Sequence, residues 1–454
     1  MLYIVLWLIT LITSTFLFYK VSGSLSLLKP NLISITYYYS LLVSSFIGPL
    51  LIVLKLDNNY MIHRMQDDTY RIIGFLWLCY IMIIIPLTML MLSRWVGFNA
   101  KKELDSYLKA PITTDLREGK DYFYIFSILM FLSISAIIYM IMQLNNVPLI
   151  AALTGGTDLG RLRIEASHGF QGNVLFKNIF ALGLTPILSL IAYVYYIKTK
   201  LFRWKISFML MFVLSIFVSI YDLQKAPVFF YILMFILIKL YIGKIKLSIK
   251  KVAILASVGI ISIITMYVFI QGVTNVNQFL SYNSGPIGRL ILSQIAPFFL
   301  HLELFGNQVD FLNGRSLPNI LLQFYDLEHV RSARLVMEQY FPDKVQEGTA
   351  GVLNTVFAGE AYANFGYWGI LFGAIYLGAF IQVMYIFFLR MPKNPVFISL
   401  FAFFTVNIPR VVVGGFMDFI FNPFWLFVFS LFLSTLFCLK VKQEFQRIYF
   451  KQAH

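Results

Sequence analysis

Runs of about twenty mostly apolar residues recur along this chain, and no other feature limits its possible folds so tightly. A segment crossing a bilayer must satisfy its own backbone N–H and C=O groups, so it is helical, and spanning the hydrocarbon takes about 20 residues. Such runs fall at 2–19, 32–54, 72–93, 122–143, 174–197, 206–221, 227–243, 252–271, 366–389, 396–412 and 423–439. They predict an all-α integral membrane protein with about eleven transmembrane helices. The first run has no basic residue before it and no small-residue cleavage site after it, which predicts a retained span rather than a cleaved signal. Composition supports the class. Of the residues, 59% are hydrophobic and only 13% charged, against about 25% charged in soluble domains. That excludes a water-soluble enzyme, a disordered scaffold and a disulfide-stapled secreted domain. An outer-membrane barrel would alternate polar and apolar residues, and these runs do not.

The formal charge of +15 is a topology signal. Well over half of the 36 Lys and Arg lie in one alternating set of connections: 20–31, 94–121, 198–205, 244–251, 390–395 and the tail 440–454. Cytoplasmic connections carry such an excess. The expected placement is therefore N-terminus outside and C-terminus in the cytoplasm. Anionic lipid and the insertion machinery account for the charge, so membrane lipid is an expected partner and nucleic acid is not. Cys79 and Cys438 form no CxxC and no Cys/His cluster, which indicates neither a zinc site nor a disulfide framework.

The mass outside the spans is expected on the outer face, in a first loop over 144–173 and a larger one over 272–365. The larger loop holds apolar stretches read as too short to span, Leu290–Leu304 and Ile320–Phe324, interrupted by Pro286, Pro297, Pro318 and Pro342. It reads as short amphipathic or re-entrant helices packed on the outer surface. No tandem repeat, inverted repeat or low-complexity linker is evident, so a single multi-pass membrane domain over 1–454 is the simplest organisation.

Charges near the outer surface are the candidate functional residues, because a charge in or beside a membrane helix is costly. Arg161 and Arg163 lie in the glycine-rich stretch Gly155–Arg163, where the backbone can approach a ligand closely. Lys177 lies near the outer end of its run, Asp418 between the last two runs, and Arg315 within the larger loop. Lys225 sits in a tight turn between two runs, where it either meets an anion or pairs with Asp222. Arg289 opens a segment in which Gln294 and His301 would share a helix face. Glu360, in apolar surroundings with Asn364 four residues on, either pairs with an Arg or serves proton transfer. Arg410, after Pro409, either snorkels to the interface or joins the cationic cluster. Cations gathered on the side where they are normally scarce suit a di-anionic ligand at the outer leaflet.

Four stretches resemble the bacterial polysaccharide repeat-unit polymerases, the O-antigen polymerase or Wzy family. They are the arginine–ten–glycine pattern from Arg161 to Gly172, the turn Gln224-Lys225-Ala226-Pro227, the segment Arg289…Gln294…Leu302-Glu303, and Gly359-Glu360-Ala361-Tyr362-Ala363-Asn364-Phe365-Gly366. The general plan of spans and two outer loops covers nearly the whole chain. Some members carry a second arginine–ten–glycine in the later loop; here the residues eleven after Arg289 and Arg315 are Leu300 and Asp326.

The resemblance implies a GT-C-like membrane glycosyltransferase in the bacterial cytoplasmic (inner) membrane, active on its outer face. Its substrates would be oligosaccharides on undecaprenyl pyrophosphate, and a chain-length co-polymerase would be a partner. The developing pyrophosphate charge needs cationic stabilisation in a low-dielectric site, for which Arg161, Arg163, Lys225, Arg289 and Arg410 are the candidates. Glu360 is the first candidate general base and His301 the second. Tyr282, Glu303, Tyr362 and Asn364 are the candidate sugar contacts. No metal site of the DxD type is apparent, so no metal or other cofactor is expected. The rival expectations are an O-antigen ligase, which uses the same donor on a lipid-core acceptor, and a lipid-linked oligosaccharide flippase or transporter, which would hold the pyrophosphate without catalysis.

Overall fold

The computed structural model describes residues 1–113, 116–144, 147–153, 170–271, 281–347, 350–417 and 425–434, together with Phe437 and Val441. Among them the chain is all-helical, with no strand. Nine of the described helices are long and apolar enough to cross a membrane. They are Leu2–Ser22, Leu32–Val53, Thr69–Trp95, Tyr122–Met142, Val174–Thr199, Phe202–Ile220, Gly285–Leu304, Phe357–Arg390 and Pro395–Val412. All but one coincide with an expected run, and the chain is an integral membrane helical protein. Helices also form at Lys225–Tyr241 and Ile249–Gln271, where runs were expected.

The exception is Gly285–Leu304, which falls within the expected outer loop 272–365. Its prolines open helical pieces rather than end them. Pro286 and Pro297 each sit in the first turn of a helical piece, where the missing N–H costs nothing. A π-helical stretch, Arg289–Ser293, follows the first piece, and the second runs Ala296–Leu304. The chain turns at Gln294 and Ile295 between them. Both ends of the segment are tied to one connection. At the start, the Tyr282 hydroxyl donates to the Leu56 carbonyl at 2.8 Å and Asn283 Oδ1 accepts from Asn58 N–H at 2.6 Å. At the end, Glu303 Oε1 accepts from the N–H groups of Gln66 and Asp67, each at 2.7 Å. The middle reaches inward to Gly48 and Gly74, on the helices flanking that connection. The segment thus enters and leaves at the same end of its unit, although its length and composition alone would let it cross.

No linker marks a boundary, yet the chain divides into two compact units, each assembled from discontinuous pieces. The first comprises Met1–Ser106, Leu247–Arg390 and Phe404–Asn422. Within it, Thr69–Trp95 packs on Leu2–Ser22 and on Phe357–Arg390. Gly378 lets the last pair approach closely, since a Cβ there would lie 2.7 Å from the Ile85 carbonyl oxygen. Small residues at such crossings replace the hydrophobic drive that lipid does not supply. Hydrogen bonds add to the packing: Gln382 Nε2 donates to Ser93 Oγ at 2.9 Å, and the Tyr385 hydroxyl to the Ser22 carbonyl at 2.8 Å.

The second unit comprises Tyr107–Lys246, Met391–Phe403 and Pro423–His454. Val174–Thr199 and Phe202–Ile220 form its principal described pair, held by Trp204 stacked on Tyr195 at 4.3 Å. Ser133 and Thr185 share a hydrogen bond of 2.5 Å, and Ser189 and Tyr231 one of 2.7 Å. Lys393, in a short basic connection, is buried. Its ammonium donates to the carbonyls of Tyr107 and Ala110, both at 2.7 Å, and burial pushes its pKa down to about 8.

Candidate functional site

The helix Phe357–Arg390 is two helices joined by a kink. Phe365 has φ −134° and Gly366 has φ 59°, ψ −149°, a backbone region essentially confined to glycine. The kink falls where the apolar run 366–389 begins, so Glu360 lies on a short helix, 357–364, ahead of the long one. That short helix is pinned at its C-terminal end, where carbonyls lack intrahelical partners. Leu312 N–H donates to the Ala363 carbonyl at 2.9 Å and Asn313 N–H to the Asn364 carbonyl at 3.1 Å. Asn364 is fully buried. Its Oδ1 accepts from Gly314 N–H at 3.0 Å, and its Nδ2 donates to Ser316 Oγ and to the Glu360 carbonyl.

At the start of this short helix the first unit holds a cavity of about 290 Å³. His301 and Glu360, chosen from sequence as candidate proton-transfer groups, both line it. So do Arg331, His329 and Asn354, and the backbone at Gly414 and Gly415 closes one part of the wall. The remaining lining is small: Ser316, Ser332, Ala333 and Thr355.

Four chain segments place these groups. His301 comes from the inward-reaching segment 285–304 and is 1% exposed. Its Nδ1 lies 2.7 Å from the Pro297 carbonyl. A carbonyl oxygen only accepts, so Nδ1 carries a proton and the neutral ring keeps its lone pair on Nε2. Glu360 reaches the segment after Pro395–Val412. Its Oε2 accepts from Phe416 N–H at 2.5 Å and from Met417 N–H at 3.1 Å, which anchors the chain that carries Gly414 and Gly415. Thr355 Oγ1 donates to the Gln294 carbonyl at 3.1 Å, and Gln294 Nε2 donates to the Val413 carbonyl at 2.8 Å. Gln294 therefore ties the turn in segment 285–304 to the same wall. The break at 294–295 separates it from the His301 helix, so the expected shared face is not formed.

Other expected site residues lie elsewhere. Glu303 is 3% exposed and absent from the cavity lining. Both of its carboxylate oxygens are engaged, Oε1 by two backbone amides and Oε2 by the Tyr340 hydroxyl at 2.6 Å. It ties the connection 54–68 to the helix Ser332–Tyr340. Tyr362 is buried against Phe311 and Tyr367, and Asn364 is occupied as described. Tyr282 is exposed and bonded to Leu56. Arg289 is exposed on the first unit, within electrostatic reach of Tyr60 and outside the cavity lining. Arg410 is half-buried and donates to Asn407 Oδ1 at 2.9 Å. Arg315 donates to the Leu312 carbonyl at 3.3 Å. Lys177 is buried in the second unit, its ammonium 4.1 Å from the centre of the Phe170 ring. Lys225 opens the helix Lys225–Tyr241 in that same unit. Arg161, Arg163 and Asp418 lie outside the described residues.

His329, Arg331, Asn354 and the glycine pair line the cavity without being among the residues expected from sequence. A signal was present: His329-Val330-Arg331 places an imidazole and a guanidinium directly before the amphipathic stretch 332–340, and Gly414-Gly415 follows an apolar run. Among the described residues no group of three or more His, Cys, Asp or Glu side chains could hold a metal ion. Comparison with family models, with curated proteins and with solved structures finds no match to this chain.

Proposed function

We propose that this chain is a polysaccharide repeat-unit polymerase of the GT-C-like kind, joining undecaprenyl-pyrophosphate-linked oligosaccharides at the outer face of the bacterial cytoplasmic membrane. One observation carries the reading: His301 and Glu360 line a single polar cavity beside Arg331 and His329, in a unit built of apolar helices. In the reaction a hydroxyl of the acceptor glycan attacks the anomeric carbon of the donor glycan. The new glycosidic C–O bond forms as the bond to the pyrophosphate oxygen breaks, and undecaprenyl pyrophosphate leaves with the electron pair. His301 Nε2 takes the hydroxyl proton. Glu360 holds the chain of Gly414 and Gly415 against the cavity, which makes it a positioning residue and reverses the order of preference drawn from sequence. Arg161, Arg163, Lys225, Arg289 and Arg410 remain proposed contacts of the lipid-borne phosphates. The eleven-span plan with the N-terminus outside belongs to the same proposal, as does partnership with a chain-length co-polymerase.

The test is incubation of the purified protein in nanodiscs with one lipid-linked repeat unit from its own source, followed by gel analysis. A ladder of extended glycans is expected. Transfer only to a lipid-core acceptor would make the protein a ligase, and movement of the lipid across the bilayer without bond formation would make it a carrier. Either result would overturn the polymerase reading.

A further inference from the structure

Arg331 precedes the helix Ser332–Tyr340 and lines the cavity with Ser332 and Ala333. Its Nη2 donates to Asn354 Oδ1 at 3.1 Å. Among the described residues no carboxylate pairs with Arg331, whereas Arg334, one turn on, is bound to Glu338 at 2.6 Å. No side chain caps the first turn of the helix, so its opening amides add partial positive charge where Ser332 and Ala333 meet the cavity. His329 contributes a second ring on the same lining. His301, 1% exposed, lines the same cavity. Glu360 shares the space, but its Oε2 is turned to the backbone amides of Phe416 and Met417. One lining thus sets the Arg331 guanidinium beside two imidazole rings.

We propose that Arg331, steadied by Asn354 and assisted by His329, grips the diphosphate of the lipid-borne donor at this cavity. The assignment rests on the polymerase reading for the identity of the donor, and on the cavity itself for the anion. A guanidinium with donors to spare matches phosphate oxygens bidentately, and an ammonium does so less well. It also places the leaving group on the same cavity as His301, the geometry that bond exchange at one carbon requires.

The experiment measures binding of farnesyl pyrophosphate to the purified protein in detergent by isothermal titration calorimetry. Inorganic pyrophosphate and inorganic phosphate serve as comparison probes. Arg331→Gln should weaken farnesyl pyrophosphate binding about tenfold or more, as expected for loss of a charge-assisted contact. Arg331→Lys should restore part of it, and His329→Gln should weaken it a few-fold. Arg334→Gln, on the same short helix, should bind like wild type. Wild-type affinity in Arg331→Gln, an equal loss in Arg334→Gln, or no binding by wild type would overturn the site. Inorganic pyrophosphate binding as tightly as the farnesyl ester would overturn the lipid-borne source. The ladder assay on the same variants separates the two proposals. Binding that depends on Arg331 without any wild-type ladder sinks the polymerase reading and keeps the anion site. A ladder that is unchanged in Arg331→Gln does the reverse.

Discussion

The ring of His301 is held by the carbonyl of Pro297, four residues earlier, through a 2.7 Å contact at Nδ1. Pro297 lies in the first turn of the helix Ala296–Leu304, so this bond spans one helical turn and fixes the tautomer. His301→Gln should therefore lower glycan transfer by about 10²–10⁴-fold, the range for a general base. Glu360→Gln should cost less, because an amide oxygen still accepts from the Phe416 and Met417 amides. Initial rates at saturating donor would establish the ranking, and the opposite order would move the base to Glu360.

Gly359 touches this machinery directly. A Cβ there would overlap Thr355 Cγ2 and meet the His301 ring at 3.4 Å. Overpacking of this kind costs about 1–3 kcal/mol. Gly359→Ala should melt earlier and lose transfer activity more than its stability loss explains. Gly359→Ala combined with Thr355→Ser should recover both in part, since the serine lacks the methyl group that the new Cβ would strike. No recovery in the double variant would show that Thr355 is not the obstacle.

Tyr340 tests the placement of Glu303. Burial, reinforced by the hydrogen bond to the Glu303 carboxylate, pushes the Tyr340 hydroxyl well above its usual range. The phenol therefore stays protonated and donating at any physiological pH. Tyr340→Phe leaves a buried carboxylate oxygen without its donor, at a cost of about 1–3 kcal/mol. A lower melting temperature with an unchanged KM for the glycan is expected. A raised KM at full stability would return Glu303 to the substrate.

Lys393 sets a pH dependence in the second unit. Its folded pKa, about 8, lies below the 10.5 of an ordinary lysine. The unfolded chain thus binds this proton more tightly than the folded one. Its contribution to stability rises with pH between about 8 and 10.5. A shift of this size corresponds to about 3 kcal/mol. Melting wild type and Lys393→Met at pH 7 and pH 9.5 should show the wild type gaining on the variant at the higher pH. Parallel pH profiles would mean that the ammonium is not the titrating group.

The spans were legible because their requirement is local. Leu2–Ser22 and Thr69–Trp95 announce themselves in the chain, since lipid offers no partner for a backbone and few for a charge. Gly285–Leu304 is longer than its sequence suggests for an equally local reason: Pro286 and Pro297 read as breaks, yet each sits in the first turn of a helical piece, where a helix tolerates it. Glu303 illustrates the opposite limit. A carboxylate in an apolar segment signals importance, but its sequence neighbours do not name Gln66, Asp67 and Tyr340 as its partners.

The membrane class, the positions of most helices and the basic connections follow from the order of amino acids alone, because hydrocarbon thickness and interfacial charge act on one stretch of chain at a time. Which polar groups share a cavity was decided only by the tertiary structure. His301, Arg331, Glu360 and Gly414 sit on separate segments. They meet because one segment turns back at Gln294, another kinks at Gly366, and hydrogen bonds over long sequence distances lock both in place.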